Sequence, residues 1–511
     1  MSTPRRLALA LPLLVLVPLG AAADEPKAKG DEPKGAPAAP AAEARKFVTE
    51  HHLQAGGTDL AYTATAEDIQ LRDGDGKPTA DFFTISYVKS GVARQEDRPI
   101  TFVFNGGPGS GSVWLHLGFV GPKTIDIPSD ASDPGPPPYK LKDNPWTILR
   151  ATDLVFVDPV GTGFSKALGE KKNTDFWGFD EDADSVAEFV RTFITLKNRW
   201  NSPKYILGES YGGIRSALLV PRLQGRLNIG VNGVILISPA LNMAMLPFTP
   251  TGNDLSYATQ LPAFAAVAYY HHKLPDAWPS QEALLAEVEA YAAGDYLKAL
   301  FAGDALPQAE REKVADRLRR YTGLSREYLL RCDLRPFAPR FVKELLRDQG
   351  KSIGMLDGRY AQDELDDVAA FPDGDPFDAK TGSIYLALFQ SYLRNELKVD
   401  VLDPYHGSNR EANQNWKRPA DGNNAFAGFV DVTGGLAQAT KDSDHLRIFA
   451  AAGYHDVTTS YFATAYMLRH SGIDPARLAI HDYAGGHMMY LHQPSLEKLS
   501  NDVVDFINAR N

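Results

Sequence analysis

Short, continuous apolar runs recur along this sequence, and most of them are followed by a Gly- or Pro-containing turn and then by a stretch with helical spacing. The runs are Ile100–Phe104, Leu154–Val157, Tyr205–Leu207, Val234–Ile237, Leu446–Ala450 and Leu478–Ile480. A continuous run is typical of a strand that is covered on both faces, as in a parallel sheet. Strands that alternate with helices predict an α/β fold.

Two regions depart from this pattern. Asp59–Tyr62 and Phe82–Val88 alternate between apolar and polar residues on either side of the turn cluster Asp73–Pro78, which predicts antiparallel strands ahead of the core. That cluster lacks the remaining ligands of a calcium loop, so a hairpin turn is favoured there. In residues 245–425, charged helical stretches such as Gln281–Tyr291 predict a mostly helical insertion. Its composition leaves open whether the insertion is a lid, inert packing or a dimer surface.

The N-terminal residues are predicted to lie outside the fold. Arg5 and Arg6 precede the apolar run Leu7–Leu19, and Ala21–Ala23 follow it, which is typical of a secretory signal peptide at residues 1–23. The run is too short for a comfortable membrane span, so we expect a secreted or periplasmic protein without stable membrane insertion. Residues 24–46 are rich in Ala, Pro, Lys and Glu, which predicts a flexible linker.

The remaining residues are predicted to form an α/β core in two parts, residues 47–244 and 426–511, separated by the insertion at 245–425. Of 511 residues, 44% are hydrophobic and 23% are charged, which excludes a mostly disordered chain and a polytopic membrane protein. The net charge of −11 gives no electrostatic reason to expect a nucleic-acid partner. Cys332 is the single cysteine, so no intramolecular disulfide can form. The sequence leaves open whether the protein is a monomer or a homodimer.

The candidate nucleophile is Ser210. The apolar run before it leads into Gly208-Glu-Ser-Tyr-Gly212 and then into the helix-capable stretch Ser216–Leu223. This strand–turn–helix context defines a nucleophile elbow, whose tight turn requires glycines on either side of the serine. A second match to Gly-x-Ser-x-Gly at Gly350–Gly354 follows a charged helical stretch with no strand leading into it, so it is interpreted as a loop.

A serine hydroxyl needs a base to take its proton, and in this kind of fold the acid and then the histidine follow the serine along the chain. Asp456 follows the predicted strand Leu446–Ala450, and His487 follows the predicted strand Leu478–Ile480. These two residues are therefore the predicted triad partners of Ser210. His455 and Asp482 occupy neighbouring positions and are the competing candidates.

An acyl-transfer site also needs hydrogen-bond donors for the developing oxyanion. A glycine run follows the early strand Ile100–Phe104, and it lets backbone N–H groups approach the reacting carbonyl. The predicted donors are the N–H of Gly107 and the N–H of Tyr211, directly after the nucleophile. A phosphate-binding loop is the competing interpretation, but the Lys-Ser/Thr continuation that it needs is missing.

Four motifs in this order resemble the serine carboxypeptidase family: Asn105–Ser110, Asp158–Ser165, Gly208–Gly213 and Gly485–His487. The resemblance implies an α/β-hydrolase core with a helical insertion, the triad and oxyanion hole given above, and no metal or organic cofactor. It also implies removal of the C-terminal residue of peptide substrates through an acyl-enzyme intermediate, favoured at acidic pH.

The same resemblance implies that Asn105 and Glu209 hydrogen-bond the terminal carboxylate of the substrate. Two positions depart from the family pattern: Phe119 stands where a second acid is usual, and Val103 stands where a Trp is usual. Glu209 has a buried structural acid as its alternative role. The prediction is a secreted serine carboxypeptidase, with an esterase or acyltransferase on the same machinery, or a non-catalytic binding protein on this fold, as the alternatives.

Overall fold

The computed structural model describes residues 44–247, 252–275, 277–417 and 430–509. The predicted signal peptide, residues 24–43 of the predicted linker, residues 248–251, 276 and 418–425 of the predicted insertion, and residues 426–429 of the predicted second core part lie outside the described residues. Arg45, near the end of the predicted linker, donates two hydrogen bonds to the Asp68 carboxylate, at 2.7 and 2.9 Å. Among the described residues, no helix combines the length and the apolar character needed to cross a membrane.

The strands follow the chain order of the predicted apolar runs. They are β1 (Lys46–Ala55), β2 (Thr58–Arg72), β3 (Pro78–Lys89), β4 (Ile100–Phe104), β5 (Lys123–Ile125), β6 (Leu141–Asp143), β7 (Asp153–Val157), β8 (Lys166–Ala167), β9 (Lys204–Glu209), β10 (Gly233–Ile237), β11 (Lys351–Ile353), β12 (Ala361–Asp363), β13 (Arg447–Gly453) and β14 (Leu478–Tyr483). Each of the six predicted apolar runs overlaps one of these strands.

The main sheet has the strand order β1-β2-β3-β7-β4-β9-β10-β13-β14, and β8 pairs with β3. From β7 to β14 all neighbouring strands are parallel, whereas β1, β2 and β3 pair antiparallel with one another and β3 pairs antiparallel with β7. The turn between β2 and β3 is a hairpin in which the Asp73 carboxylate accepts from the Asp75 and Lys77 N–H groups. The predicted α/β class, with a mixed and mostly parallel sheet, is confirmed.

Helices cover both faces of the sheet. They are α1 (Val113–Leu115), α2 (Phe179–Leu196), α3 (Tyr211–Pro221), α4 (Asp254–Tyr270), α5 (Gln281–Tyr291), α6 (Leu297–Ala302), α7 (Gln308–Thr322), α8 (Arg326–Arg331), α9 (Ala338–Glu344), α10 (Pro376–Asn395), α11 (Arg410–Gln414), α12 (Thr433–Asp442), α13 (Tyr461–Arg469) and α14 (Gln493–Asn508). Helices α4 to α12 all lie between β10 and β13 in the sequence.

The continuous apolar runs are explained by this two-sided cover. Neighbouring residues of one strand enter different cores: Ile206 of β9 packs in the core that α2, α3 and α12 share, and Leu207 packs in the core that α14 and α10 share. A third apolar core joins helices α4 to α9. Because side chains alternate along a strand, a strand buried on both faces must be apolar at every position.

The second Gly-x-Ser-x-Gly match does not form the loop that its composition predicts. Its residues Lys351–Ile353 form β11, a short strand that pairs antiparallel with β12. Ser352 is fully buried there and donates to the Glu364 carboxylate, which also pairs with Lys343. The reason is the buried ion pair, which anchors the hairpin although the segment lacks a long apolar run. Ser352 does not lie at a strand-to-helix turn, which leaves Ser210 in that position.

Candidate active site

Ser210 occupies a one-residue turn between the end of β9 and the start of α3. Its backbone has φ 59° and ψ −122°, a conformation that non-glycine residues rarely adopt and that is associated with strain at functional sites. The turn is fixed by its N–H, which donates to the Ile237 carbonyl at 3.0 Å. A Cβ on Gly208 would lie 2.2 Å from the Gly212 carbonyl oxygen, so the glycine before the serine is sterically required. The Ser210 side chain is half-buried.

His487 and Asp456 form a buried pair on the loops that follow β14 and β13. The His487 Nδ1 lies 2.7 Å from Asp456 Oδ2, and Asp456 Oδ1 accepts from the N–H groups of Thr458 and Thr459 at 2.8 Å each. With Nδ1 donating to the carboxylate, the His487 Nε2 is left as the acceptor position of a neutral ring.

The charges around His487 favour its protonated form. Burial lowers the pKa of His487, but the Asp456 charge and hydrogen bond, together with the charges of Glu209 and Asp378, outweigh burial and raise the pKa above 6.5. The imidazole therefore binds a proton more tightly than a free histidine does, which is the property of a base that must accept one.

His455 and Asp482, the competing candidates for the triad, have different surroundings. Burial, followed by the charge of Arg359, lowers the pKa of His455 to about 3, and its Nε2 has no hydrogen-bond partner among the described residues. Asp482 lies within β14, and burial, followed by the charge of Glu289, raises the pKa of its carboxyl to about 7. The carboxylate on His487 is that of Asp456.

Two hydroxyl groups that the sequence reasoning missed hold this pair. The Thr459 Oγ1 lies 2.5 Å from Asp456 Oδ2, 3.0 Å from His487 Nδ1 and 3.1 Å from the Ser238 carbonyl oxygen. Ser238, directly after β10, donates from its Oγ to the His487 carbonyl at 2.8 Å. An Asp with Thr residues two and three positions later is typical of an Asx turn, which was the available signal for Thr459.

The helical region between β10 and β13 also supplies contacts to the His487 loop. The Leu356 carbonyl accepts from the His487 N–H at 2.6 Å, and Asp357 Oδ2 accepts from the Gly486 N–H at 3.1 Å. A Cβ on Gly486 would lie 2.5 Å from the Asp357 Cα. Arg359 pairs with Asp357 at 2.7 Å, so the buried carboxylate has a counter-charge.

The predicted oxyanion loop packs directly against the turn at Ser210. A Cβ on Gly106 would lie 2.5 Å from the Tyr211 nitrogen and 2.8 Å from the Ser210 Cβ, so only a glycine allows this approach. Gly107 is exposed at φ 103°. Tyr211 is the first residue of α3, and its N–H has no acceptor within the helix.

A buried arginine, which the sequence analysis did not predict, holds the loop that carries Gly107. Arg215 lies in α3, is fully buried, and donates from Nη1 to the Asn105 carbonyl at 2.7 Å. Its Nε donates to Asp182 in α2 at 2.7 Å. The guanidinium thus joins α2, α3 and the loop that carries Gly107.

Asn105 and Glu209, the predicted carboxylate binders, contact each other beside Ser210. Asn105 Nδ2 donates to Glu209 Oε1 at 3.0 Å, and the Tyr490 hydroxyl donates to Glu209 Oε2 at 2.6 Å. Glu209 is buried, and burial raises the pKa of its carboxyl to about 7 against the opposing effects of His487, Tyr490 and Asn105. Phe119, at the position of the second family acid, is fully buried and stacks on Tyr490 with ring centroids 5.7 Å apart.

The sheet order and the strand–turn–helix at Ser210 are those of the α/β-hydrolase fold. In a comparison with solved structures, the chain matches a prohormone-processing carboxypeptidase, Kex1, from Saccharomyces cerevisiae with a TM-score of 0.54. The match has 14% sequence identity and covers 87% of this chain and 91% of that chain, which is a likeness of fold.

The sequence comparisons find similarity to serine carboxypeptidases. The sequence model of the serine carboxypeptidase family matches residues 77–241, which include Asn105, Gly107 and the motif around Ser210. The pheromone-processing carboxypeptidase KEX1 of Saccharomyces cerevisiae is 30% identical over 154 residues, which make up 28% of this chain. The match spans 20% of the length of that relative. Residues 77–241 are thus similar in sequence to the serine carboxypeptidase family, and the chain has the α/β-hydrolase fold.

Reaction with a fluorophosphonate probe is expected to label Ser210 with a rate that rises with pH. A protonated His487 cannot accept the serine proton, and the raised pKa places the midpoint of this rise above pH 6.5. The rate of labelling, measured by mass spectrometry of the intact protein across the pH range, checks this. Ser210→Ala should abolish labelling and Ser352→Ala should retain it. A midpoint below 6.5 would contradict the assignment of His487 as the base.

Arg215→Met is expected to lower the free energy of unfolding by about 3–5 kcal/mol, because Asp182 loses its buried counter-charge. Adding Asp182→Leu should restore most of the stability, since both charges are then replaced by apolar groups. The double variant should still be labelled roughly tenfold more slowly or worse, because the loop that carries Gly107 has lost its donor. Urea unfolding and labelling rates measure the two effects, and labelling at the wild-type rate in the double variant would show that Arg215 is only structural.

Proposed function

We propose that this protein is a serine carboxypeptidase that cleaves the C-terminal peptide bond of peptides through an acyl-enzyme intermediate. Ser210 Oγ attacks the scissile carbonyl while His487 Nε2 takes its proton, and Asp456 holds the imidazole in the tautomer that leaves Nε2 free. The imidazolium then gives the proton to the leaving amine, and a water molecule hydrolyses the acyl-enzyme by the same steps in reverse. The observation that most supports the proposal is the buried His487–Asp456 pair at 2.7 Å, on loops held to the strand end next to Ser210.

The N–H groups of Gly107 and Tyr211 are the proposed donors to the oxyanion. They belong to two backbone segments that approach within contact distance at Gly106, so their spacing is set by backbone and not by flexible side chains. Preorganised donors of this kind stabilise the charge that develops on the carbonyl oxygen without a cost of reorganisation.

Selectivity for a free C-terminus is proposed to come from Asn105 and Glu209. An ionised Glu209 would repel a substrate carboxylate, whereas a protonated one can donate a hydrogen bond to it. With a pKa of about 7, Glu209 is mostly protonated below neutral pH. We therefore expect acceptance of the substrate carboxylate to weaken as the pH rises through about 7.

The experiment compares N-blocked dipeptides with their C-terminal amides between about pH 4 and pH 8, a range that spans the carboxyl and imidazole titrations. The ratio of kcat/KM for the acid to that for the amide should be high at acidic pH and should fall through about pH 7. In Glu209→Gln, which cannot ionise, this ratio should no longer change with pH. Ser210→Ala should remove turnover of both substrates. Equal turnover of acid and amide at every pH would exclude carboxylate recognition by Asn105 and Glu209.

An esterase or acyltransferase is the second candidate, and Phe119 is the observation that favours it. An aromatic ring in place of the second acid leaves a carboxylate-binding site with one carboxyl, Glu209, whose two oxygens already accept hydrogen bonds. Small acyl esters added to the same experiment separate the two functions. Ester turnover far above that of any free peptide would favour the esterase.

We also propose that the enzyme is exported, on the sequence pattern of residues 1–23 alone. Cleavage by a signal peptidase after Ala23 would leave Asp24 as the first residue. N-terminal sequencing of protein recovered from outside the cytoplasm should therefore begin at Asp24. Recovery of the chain only in the cytoplasm, with residues 1–23 still attached, would contradict export.

A further inference from the structure

Both oxygens of the Glu209 carboxyl accept hydrogen bonds from buried side chains. Asn105 Oδ1 accepts from the Leu115 N–H at 3.1 Å, which turns Nδ2 toward Glu209 Oε1. The Tyr490 hydroxyl reaches Oε2 at 2.6 Å from a short helical turn three residues after His487. The Tyr490 side chain is almost completely buried, so water does not replace this hydrogen bond.

The ring of Tyr490 is held in place by Phe119. The two rings stack at 5.7 Å with an interplanar angle of 12°, and Gly118 leaves room for them because a Cβ there would lie 2.4 Å from the Tyr490 ring. A second carboxyl next to Glu209 would disfavour its ionised form by repulsion, whereas a neutral phenol that donates to it favours that form. The two kinds of partner therefore act on Glu209 in opposite directions.

We propose that Tyr490 is a positioning residue that orients the Glu209 carboxyl and, by donating to it, sets the highest pH at which the site accepts a free substrate carboxylate. The proposal rests on the proposed function, because it assigns a control of the same carboxylate-binding step. Tyr490 does not touch the reacting atoms, and it acts through Glu209.

Other titratable groups lie near Glu209 on three elements. His487, on the loop after β14, lowers the pKa of Glu209, and Asp456, on the loop after β13, raises it. Tyr385 of α10 lies nearby, and its own pKa is raised by burial and then by the Glu209 charge. Burial is the largest effect on Glu209, and the Tyr490 hydrogen bond is one of the opposing ones. Removal of that hydrogen bond should therefore raise the pKa of Glu209.

Tyr385 provides a matched control. Both tyrosines are buried and both lie against Gly118, whose Cβ would fall 2.5 Å from the Tyr385 hydroxyl. The Tyr385 hydroxyl, however, has no hydrogen-bond partner among the described residues. Tyr490→Phe and Tyr385→Phe thus remove the same atom from neighbouring buried rings, and only the first removes a hydrogen bond to Glu209.

The experiment measures kcat and KM for an N-blocked dipeptide and its C-terminal amide against pH in the wild type and in both variants. Tyr490→Phe should move the alkaline fall in kcat/KM for the acid upward by about one pH unit, since a hydrogen bond to a charged group has about that effect on a pKa. The shift should appear in KM and should be absent for the amide. Tyr385→Phe should leave both profiles unchanged.

The inference is overturned if Tyr490→Phe does not shift the pH profile of kcat/KM for the dipeptide acid. It is also overturned if both variants shift that profile equally. If the wild type does not distinguish acid from amide, the proposed carboxylate recognition itself fails, which is a separate outcome. Thermal unfolding establishes that both variants fold. If turnover is too slow to measure, protection of Ser210 from the fluorophosphonate probe by N-acetylphenylalanine, with its amide as control, gives the same pH limit without catalysis.

Discussion

At Ser210 the chain passes from β9 to α3 within one residue, at φ 59° and ψ −122°. This turn places the Ser210 hydroxyl at the carboxyl end of the parallel strands. The backbone segments around the turn must leave space for its close contacts. Gly208 lies against the Gly212 carbonyl, and Gly106 lies against the Tyr211 nitrogen, at distances that exclude a side chain. The strain at one residue is tolerated because parallel strands and two packed helices fix the segments on either side.

Three buried carboxyls around this turn have different partners. Asp182 is paired with a guanidinium, Asp456 accepts from two backbone N–H groups and lies against His487, and Glu209 accepts from an amide and a phenol. A full positive charge, a dipole and a neutral hydroxyl compensate burial to different extents. Carboxyl groups in one small region can therefore perform different tasks, since their environments differ in charge although their chemistry is the same.

The sequence analysis predicted those parts of the molecule that are determined by a pattern within a short segment of the chain. A strand buried on both faces shows itself by an unbroken apolar run, and a nucleophile elbow shows itself by two glycines and a serine after such a run, so the sheet and Ser210 were accessible. Arg215 and Tyr490 were not, because their partners lie 110 and 281 residues away along the chain. No local pattern marks an arginine or a tyrosine for such a contact. The hairpin at Lys351–Ile353 was missed for a related reason, since Lys343 and Glu364 on either side of it supply its anchor.

Two residues in the stretch of chain between β10 and β13 bind the His487 loop. The Leu356 carbonyl accepts from the His487 N–H, and the Asp357 carboxylate accepts from the Gly486 N–H. The orientation of the imidazole thus depends partly on residues outside the strands and loops that carry the three candidate catalytic groups. Evolutionary exchange of this stretch for another would therefore have to preserve a carbonyl and a carboxylate at these two points. The sequence of this stretch and the orientation of the His487 ring are therefore coupled, and the two cannot diversify independently.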